Sequence, residues 1–254
     1  MGSSRYESVS GMDAEKRKLV VRDIFSTFHR TYDLANRVLS LRRDVAWRRS
    51  ALREMRFSGP NGRFLDVATG TADLAMMAAD AFPGITVDGI DFAAPMLDIG
   101  RAKIDGRGLS GRIRLETADA LSLPFPDATF DVTAIAFGMR NIPDMPRALR
   151  EMSRVTVPGG QVMVLEMSAV VARPIRGPYL LYLTRILPAL GGLVAGDSSA
   201  YVYLAESIIK HPAPEIFAGM MSDAGLSPIE VRRLTWGAAY LHIGRTPGGR
   251  EVGA

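Results

Sequence analysis

The chain has 254 residues, 47% of them hydrophobic and 23% charged, an ordinary globular mix that can build a core without staples. It contains no cysteine, which excludes disulfides, thiolate metal sites and cysteine nucleophiles and fits a reducing compartment. The net charge of +4 is uneven: residues 13–56 carry twelve Lys and Arg against six Asp and Glu, an excess of +6 that leaves −2 elsewhere.

That basic stretch reads either as a solvated, Arg-rich helix pair or as a face for anionic lipid headgroups, where each cation adds ~1 kcal/mol. No nucleic-acid-binding motif accompanies it, so no nucleic acid partner is expected. The first residues, Met1 to Glu7, lack the apolar run of a signal peptide. The most apolar later stretch, Tyr179 to Gly196, is interrupted by Arg185, Pro188, Gly191 and Gly192. A membrane span needs ~20 predominantly apolar residues. The expectation is a cytoplasmic protein, peripheral at most to the inner face of a membrane.

In chain order, residues 1–12 are polar and are expected to be disordered. From Lys16 to Met55 apolar residues recur every three or four positions (Val20, Ile24, Phe28, then Leu34, Val38, Leu41, Val45), which predicts two or three helices forming a lid over 13–56. Residues 57–63 read as a loop. Strands are then predicted at Phe64–Ala68, Ile85–Ile90, Ile113–Glu116, Val132–Phe137 and, after a turn at Val157–Gly160, Val162–Glu166. Helices alternate with them at Thr71–Phe82, Ala94–Ile104 and Met145–Thr156. The alternation implies a mostly parallel sheet with helices on both faces. It breaks after Met167, where 173–196 is read as a helical insertion over the carboxyl edge of the sheet. A helix near Ala213–Ala224 and strands near Pro228–Leu234 and Ala238–Gly244 complete seven strands in a domain spanning 57–246, and 247–254 is left as a flexible tail.

The sharpest local feature is Phe64-Leu-Asp-Val-Ala-Thr-Gly-Thr-Ala-Asp73, a buried strand ending in an acid and opening through small residues into a helix. Small residues let a ligand approach the backbone, and the helix N-terminus offers unpaired N–H groups. A dinucleotide site would read G-x-G-x-x-G; here the turn reads Asp66-x-Ala68-x-Gly70-x-Ala72, with one glycine and an acid just before it. That acid repels a pyrophosphate and favours the cationic amino group of S-adenosylmethionine. Two further acids follow successive strands. Asp91, beside Phe92, is placed to accept the two ribose hydroxyls, and Asp119, with the Ala120 N–H, to meet the adenine. Each acid alone is an ordinary strand cap; their common register is the informative part.

Four blocks then carry a resemblance. Ala136-Phe-Gly-Met-Arg-Asn141 resembles the F-G-x-R-N signature of the ubiquinone/menaquinone biosynthesis C-methyltransferases. Tyr32-Asp-Leu-Ala-Asn-Arg-Val-Leu-Ser40 with Trp47-Arg48 is similar to the N-terminal block of that family, and Val164–Ser168 and Tyr201–Ser207 to two later ones. The resemblance covers roughly residues 22–245. It implies a class I Rossmann-like α/β methyltransferase acting on a ring carbon of a prenylated quinol in respiratory quinone biosynthesis. It implies S-adenosylmethionine as cofactor, with Thr71, Asp91, Asp119 and Ala120 as contacts. Two departures stand out: Ala72 where the family has Gly, and Ala136 where a serine contact is common. His211-Pro212 also replaces Phe-Pro.

The candidate cofactor residues are therefore Asp66, Ala68, Gly70, Thr71, Asp91, Phe92, Asp119, Ala120 and Ala136. Arg140 is assigned to stabilise a ring phenolate, since a guanidinium with a pKa above ~12 is no conventional base. Asn141 orients a ring oxygen and Tyr32 lies over the acceptor. His29, His211 and His242 are scattered, read as surface or packing residues, and nothing has metal-ligand spacing. The apolar stretch 179–196 suits either a prenyl tail or plain core packing. Three alternatives stay open: a methyltransferase for another small acceptor, a non-catalytic cofactor-binding partner and, least favoured, a nicotinamide oxidoreductase. A homodimer is also left open.

Overall fold

The computed structural model describes residues 43–195 and 199–248. Tyr32, His29, most of the expected lid, the polar start and the end of the tail lie outside them.

The first described element is α1 (Arg43–Glu54), followed by β1 (Arg63–Val67), α2 (Asp73–Ala81), β2 (Thr86–Asp91), α3 (Ala94–Gly106) and β3 (Ile113–Thr117). Next come β4 (Phe130–Ala136), α4 (Met145–Val155) and β5 (Thr156–Met167). The insertion follows as α5 (Arg173–Leu181), a π-helical turn (Tyr182–Ile186), α6 (Leu187–Ala195) and α7 (Ser199–Lys210). The chain closes with α8 (Pro214–Asp223), β6 (Ile229–Leu234) and β7 (Ala239–Arg245).

The sheet order is β3-β2-β1-β4-β5-β7-β6, parallel except for β7, which runs antiparallel to both neighbours. The chain winds outward from β1 to β3, then returns to β4 and winds the other way. A crevice therefore opens between the carboxyl ends of β1 and β4, where connections leave in opposite directions. Both sheet faces are buried, as period-two alternation requires. Phe64, Val132 and Met163 pack with Trp47, Leu52, Leu74 and Ala78 of α1 and α2. Leu65, Ile135 and Val164 pack on the other face with Leu149, Met152, Phe217 and Met221 of α4 and α8.

Two expectations are corrected. The turn at 157–160 does not precede β5 but lies within it. Thr156 faces Phe130 and Gln161 faces Val132, so the intervening residues bulge out of an otherwise continuous strand. The stretch 199–210 is a helix that the strand–helix rhythm did not foresee; it packs on α6, and Leu183, Leu187, Tyr201, Ala205 and Ile208 form a core of their own. Among the described residues no helix is long and apolar enough to cross a membrane.

The end of α1 is fastened by one side chain. Gln161, 3% exposed, accepts the Arg56 N–H through Oε1 (2.6 Å) and donates through Nε2 to the Glu54 carbonyl (3.0 Å). These satisfy backbone groups that a helix terminus leaves unpaired. Replacing Gln161 by Leu leaves both unmet at a cost of about 1–3 kcal/mol. Thermal melting should show Tm lower by roughly 2–10 °C; an unchanged Tm would mean that water serves α1 equally well.

Candidate active site

The turn after β1 is built from unusual backbone. Ala68, Gly70 and Ala72 all have positive φ (52°, 57° and 64°). Gly70 adopts this freely, whereas an alanine there costs energy and persists only if its surroundings hold it. Two buried carboxylates do so. Asp66 Oδ2 accepts the Thr69 hydroxyl (2.6 Å) and the Ala75 N–H (3.1 Å). Ala72, at the N-cap of α2, has no side-chain oxygen to offer, so Asp66 caps the helix from the strand below. Asp91 Oδ2 accepts the Gly70 N–H and Oδ1 the Ala93 N–H, both at 2.9 Å.

Burial sets the electrostatics of this pair. Desolvation pushes the Asp66 carboxyl up to about 7, against the lowering effects of Thr69, Arg48 and the Ala75 N–H, and Asp91 raises it further. Asp91 is raised by burial as well, with three backbone N–H groups opposing.

One cavity opens above these groups at the crevice between β1 and β4. Ala68, Gly70, Thr71, Asp91, Phe92, Asp119, Ala120 and Ala136 all line it, and so do Arg140 and Asn141. Asp66 does not; it is 1% exposed and lies behind the turn. Its expected contact with the ligand is thus corrected to a supporting one, because the side chain lies on the α2 face of β1 and is spent on the helix. On the far wall stand Tyr182, Leu183, Leu187 and Leu204 from the insertion, with Met167.

The segment after β4 is locked from several sides. Gly138 passes close to the β1 turn: a Cβ there would sit 2.7 Å from the Ala68 Cβ. Arg140 is 4% exposed and gives its Nη1 to Glu166 Oε1, while Glu166 Oε2 accepts the Arg140 N–H (3.1 Å). Glu166 is itself 2% exposed, so this is an ion pair away from water. Tyr203 donates its hydroxyl to Asn141 Oδ1 (2.9 Å). Phe137 meets the Trp47 ring at 6.0 Å and the Arg48 guanidinium at 5.0 Å, which joins α1 to the wall of the cavity. The two described histidines lie outside the lining. His211 packs on Phe217, and His242 Nε2 bonds the Pro214 carbonyl; burial lowers the pKa of both.

A model of the ubiE/COQ5 methyltransferase family matches residues 11–246. The chain belongs to the ubiE/COQ5 methyltransferase family. It is 46% identical over 224 residues to the demethylmenaquinone methyltransferase of Thermus thermophilus, covering 88% of this chain and 100% of that one. It is 41% identical to a ubiquinone/menaquinone biosynthesis C-methyltransferase of Geobacter sulfurreducens, covering 88% and 87%. Among solved structures, an S-adenosylmethionine-dependent methyltransferase of Thermotoga maritima shares the fold at 16% identity with a TM-score of 0.65, covering 88% of this chain and 99% of that one. One from Aquifex aeolicus does so at 0.57, also at 16% identity, covering 78% and 88%.

The protein is accordingly a methyltransferase with S-adenosylmethionine as cofactor, and the donor set suits that molecule. Asp91 is oriented by the Gly70 and Ala93 N–H groups, and its carboxylate, on the cavity lining, has acceptor capacity that suits ribose hydroxyls. Asp119 spends Oδ1 on the Leu121 N–H, which fixes its carboxylate at the rim. Ala68 and Gly70 leave the turn open to a close-lying ligand. Sequence reasoning missed Asp44, Thr69 and Met96 as lining residues and Glu166 and Tyr203 as supports. The last two stand inside recognised blocks, but only the fold brings them to Arg140 and Asn141.

The raised Asp66 gives a pH signature. Its folded carboxyl binds a proton more tightly than the unfolded chain does, so stability is lost as pH rises from about 4 to about 7. Asp66→Asn keeps an acceptor for Thr69 and Ala75 but cannot ionise. Denaturation at stepped pH should show the variant gaining on wild type across that window, by an amount on the order of a few kcal/mol. Parallel stability curves would mean that Asp66 titrates normally.

Proposed function

We propose that this methyltransferase transfers a methyl group to a ring carbon of a prenylated quinol. The observation that carries the reading is the mixed lining of one cavity: the carboxylates of Asp91 and Asp119 after β2 and β3, leucines from the insertion, and Arg140-Asn141. The names of the relatives from Thermus and Geobacter support it, since one refers to demethylmenaquinone and the other to C-methylation in ubiquinone/menaquinone biosynthesis. When bound, S-adenosylmethionine supplies an electrophilic methyl group on a sulfonium.

The chain's own work is placement and charge. A quinol ring carbon becomes nucleophilic as its hydroxyl gives up a proton, and Arg140 offers a fixed cation beside the oxygen that gains charge. Glu166 holds Arg140 at its backbone and its guanidinium, so the cation costs no reorganisation at the moment of reaction. Asn141, held through Oδ1 by Tyr203, directs its amide at the ring oxygen. The leucines exclude water and hold the ring near the reacting methyl. As the new C–C bond forms, the ring carbon releases its own proton and aromaticity returns. Tyr32, outside the described residues, is proposed to cover the acceptor from the N-terminal side.

Incubation with labelled S-adenosylmethionine and a panel of demethyl-quinols, followed by product mass analysis, tests the reading. Label should appear on a ring carbon of a quinol; transfer only to hydrophilic acceptors would replace the substrate. Asp91→Ala should weaken cofactor binding at least tenfold, since charge-assisted hydrogen bonds contribute ~1.5–3 kcal/mol each. Wild-type affinity by calorimetry would remove Asp91 from the site.

Arg140→Ala should behave differently. Cofactor affinity should stay close to wild type while kcat falls by roughly 10²–10³, the usual cost of losing one oxyanion donor. A folded variant that no longer binds cofactor would instead assign Arg140 to holding the loop.

A further inference from the structure

The cavity wall supplied by the insertion has an outer side. Pro188 has no N–H to give to the Thr184 carbonyl four residues back, and the helix widens into the π-helical turn Tyr182–Ile186 just before it. In an α-helix Leu181 and Ile186 would stand about 140° apart. A turn closed between residues five apart brings them toward the same side instead. Leu190, four residues on, continues the row. These three side chains are 55%, 44% and 40% exposed, whereas Leu183 and Leu187 of the same element are buried and line the cavity.

Charge accompanies the apolar row. Arg173, Arg176 and Arg185 are exposed on the same element, and no acidic residue occurs from Ser168 to Gly196. Isolated surface leucines are ordinary. Three exposed apolar side chains and three exposed arginines on one acid-free stretch of the insertion that also walls a greasy cavity are not. An anionic bilayer offers what this face lacks: acyl chains for the leucines and phosphates for the guanidinium groups.

We propose that the outer face of the insertion, Leu181, Ile186 and Leu190 with Arg173, Arg176 and Arg185, docks the protein on an anionic lipid bilayer. Resting on the quinol reading above, it places the cavity mouth at the interface where a prenylated ring would lie. It also moves the membrane contact from the basic stretch 13–56 to a different element.

Co-sedimentation of the full chain with phosphatidylglycerol-rich vesicles and with pure phosphatidylcholine vesicles tests this directly. The wild type should pellet with the anionic vesicles and be released by salt, as screened charges require. The triple variant Arg173→Ala, Arg176→Ala, Arg185→Ala should bind roughly a hundredfold more weakly at low salt. Leu181→Ser, Ile186→Ser, Leu190→Ser should also bind at least tenfold more weakly. Both should methylate a short-tailed, water-soluble quinol at the wild-type rate and fall behind on a long-tailed quinol embedded in vesicles. Variants that sediment like the wild type, or a wild type that binds no vesicle, would overturn the docking face. Absence of methylation of any quinol by the wild type would overturn the substrate reading alone, because vesicle binding is measured without turnover.

Discussion

Two carboxylates buried side by side under the first turn set the geometry of the whole site. Asp66 and Asp91 lie near the ends of neighbouring parallel strands; Asp66 Oδ2 accepts from the Thr69 hydroxyl and the Ala75 N–H, and Asp91 from the N–H groups of Gly70 and Ala93. Such groups are expensive to bury, and the charge of Asp91 adds to the raised proton affinity of Asp66. In return they hold Ala68, Gly70 and Ala72 in left-handed backbone, which an alanine-containing turn would not keep unaided. The division of labour follows from depth along the strands: Asp66 pairs with Gly89, so both acids share a sheet face, but Asp66 lies lower and caps the helix while Asp91 ends β2 and lines the open crevice.

The second constraint joins three distant parts of the chain around the segment after β4. Gly138 lets that segment approach the β1 turn, Glu166 from β5 grips Arg140 at two points, and Tyr203 from α7 grips Asn141. Phe137, at φ 61°, turns its ring onto Trp47 and Arg48 of α1. A buried ion pair such as Arg140–Glu166 is weak evidence for stability, because desolvation offsets the attraction. Its value is positional. A cation fixed beside a cavity can meet developing negative charge without moving.

The insertion performs two tasks on one helical path because its periodicity changes midway. Leu183 and Leu187 keep α-helical spacing toward the cavity, while the π-helical turn ahead of Pro188 gathers Leu181 and Ile186 on the opposite side. An uninterrupted α-helix would have set Leu181 and Ile186 about 140° apart.

Residue order alone determined the α/β class, the positions of most strands and helices, and the family. Those features rest on short-range periodicity and on contiguous motifs such as Ala136–Asn141, which need no knowledge of distant contacts. The helix 199–210 was missed because its apolar residues serve a small separate core, not the sheet whose rhythm was being followed. Pro and Gly mark turns and bulges alike, so residues 157–160 read as a turn until β4 shows the strand continuing on both sides of them. Tertiary structure decided that Asp91 faces the cavity while Asp66 is buried behind the turn, since the depth of a residue below the sheet edge depends on the register of neighbouring strands. It also decided what holds Arg140 and Asn141: Glu166 and Tyr203 lie 26 and 62 residues away in sequence, and only the sheet order and the return of α7 over the β4 edge bring them into hydrogen-bond reach.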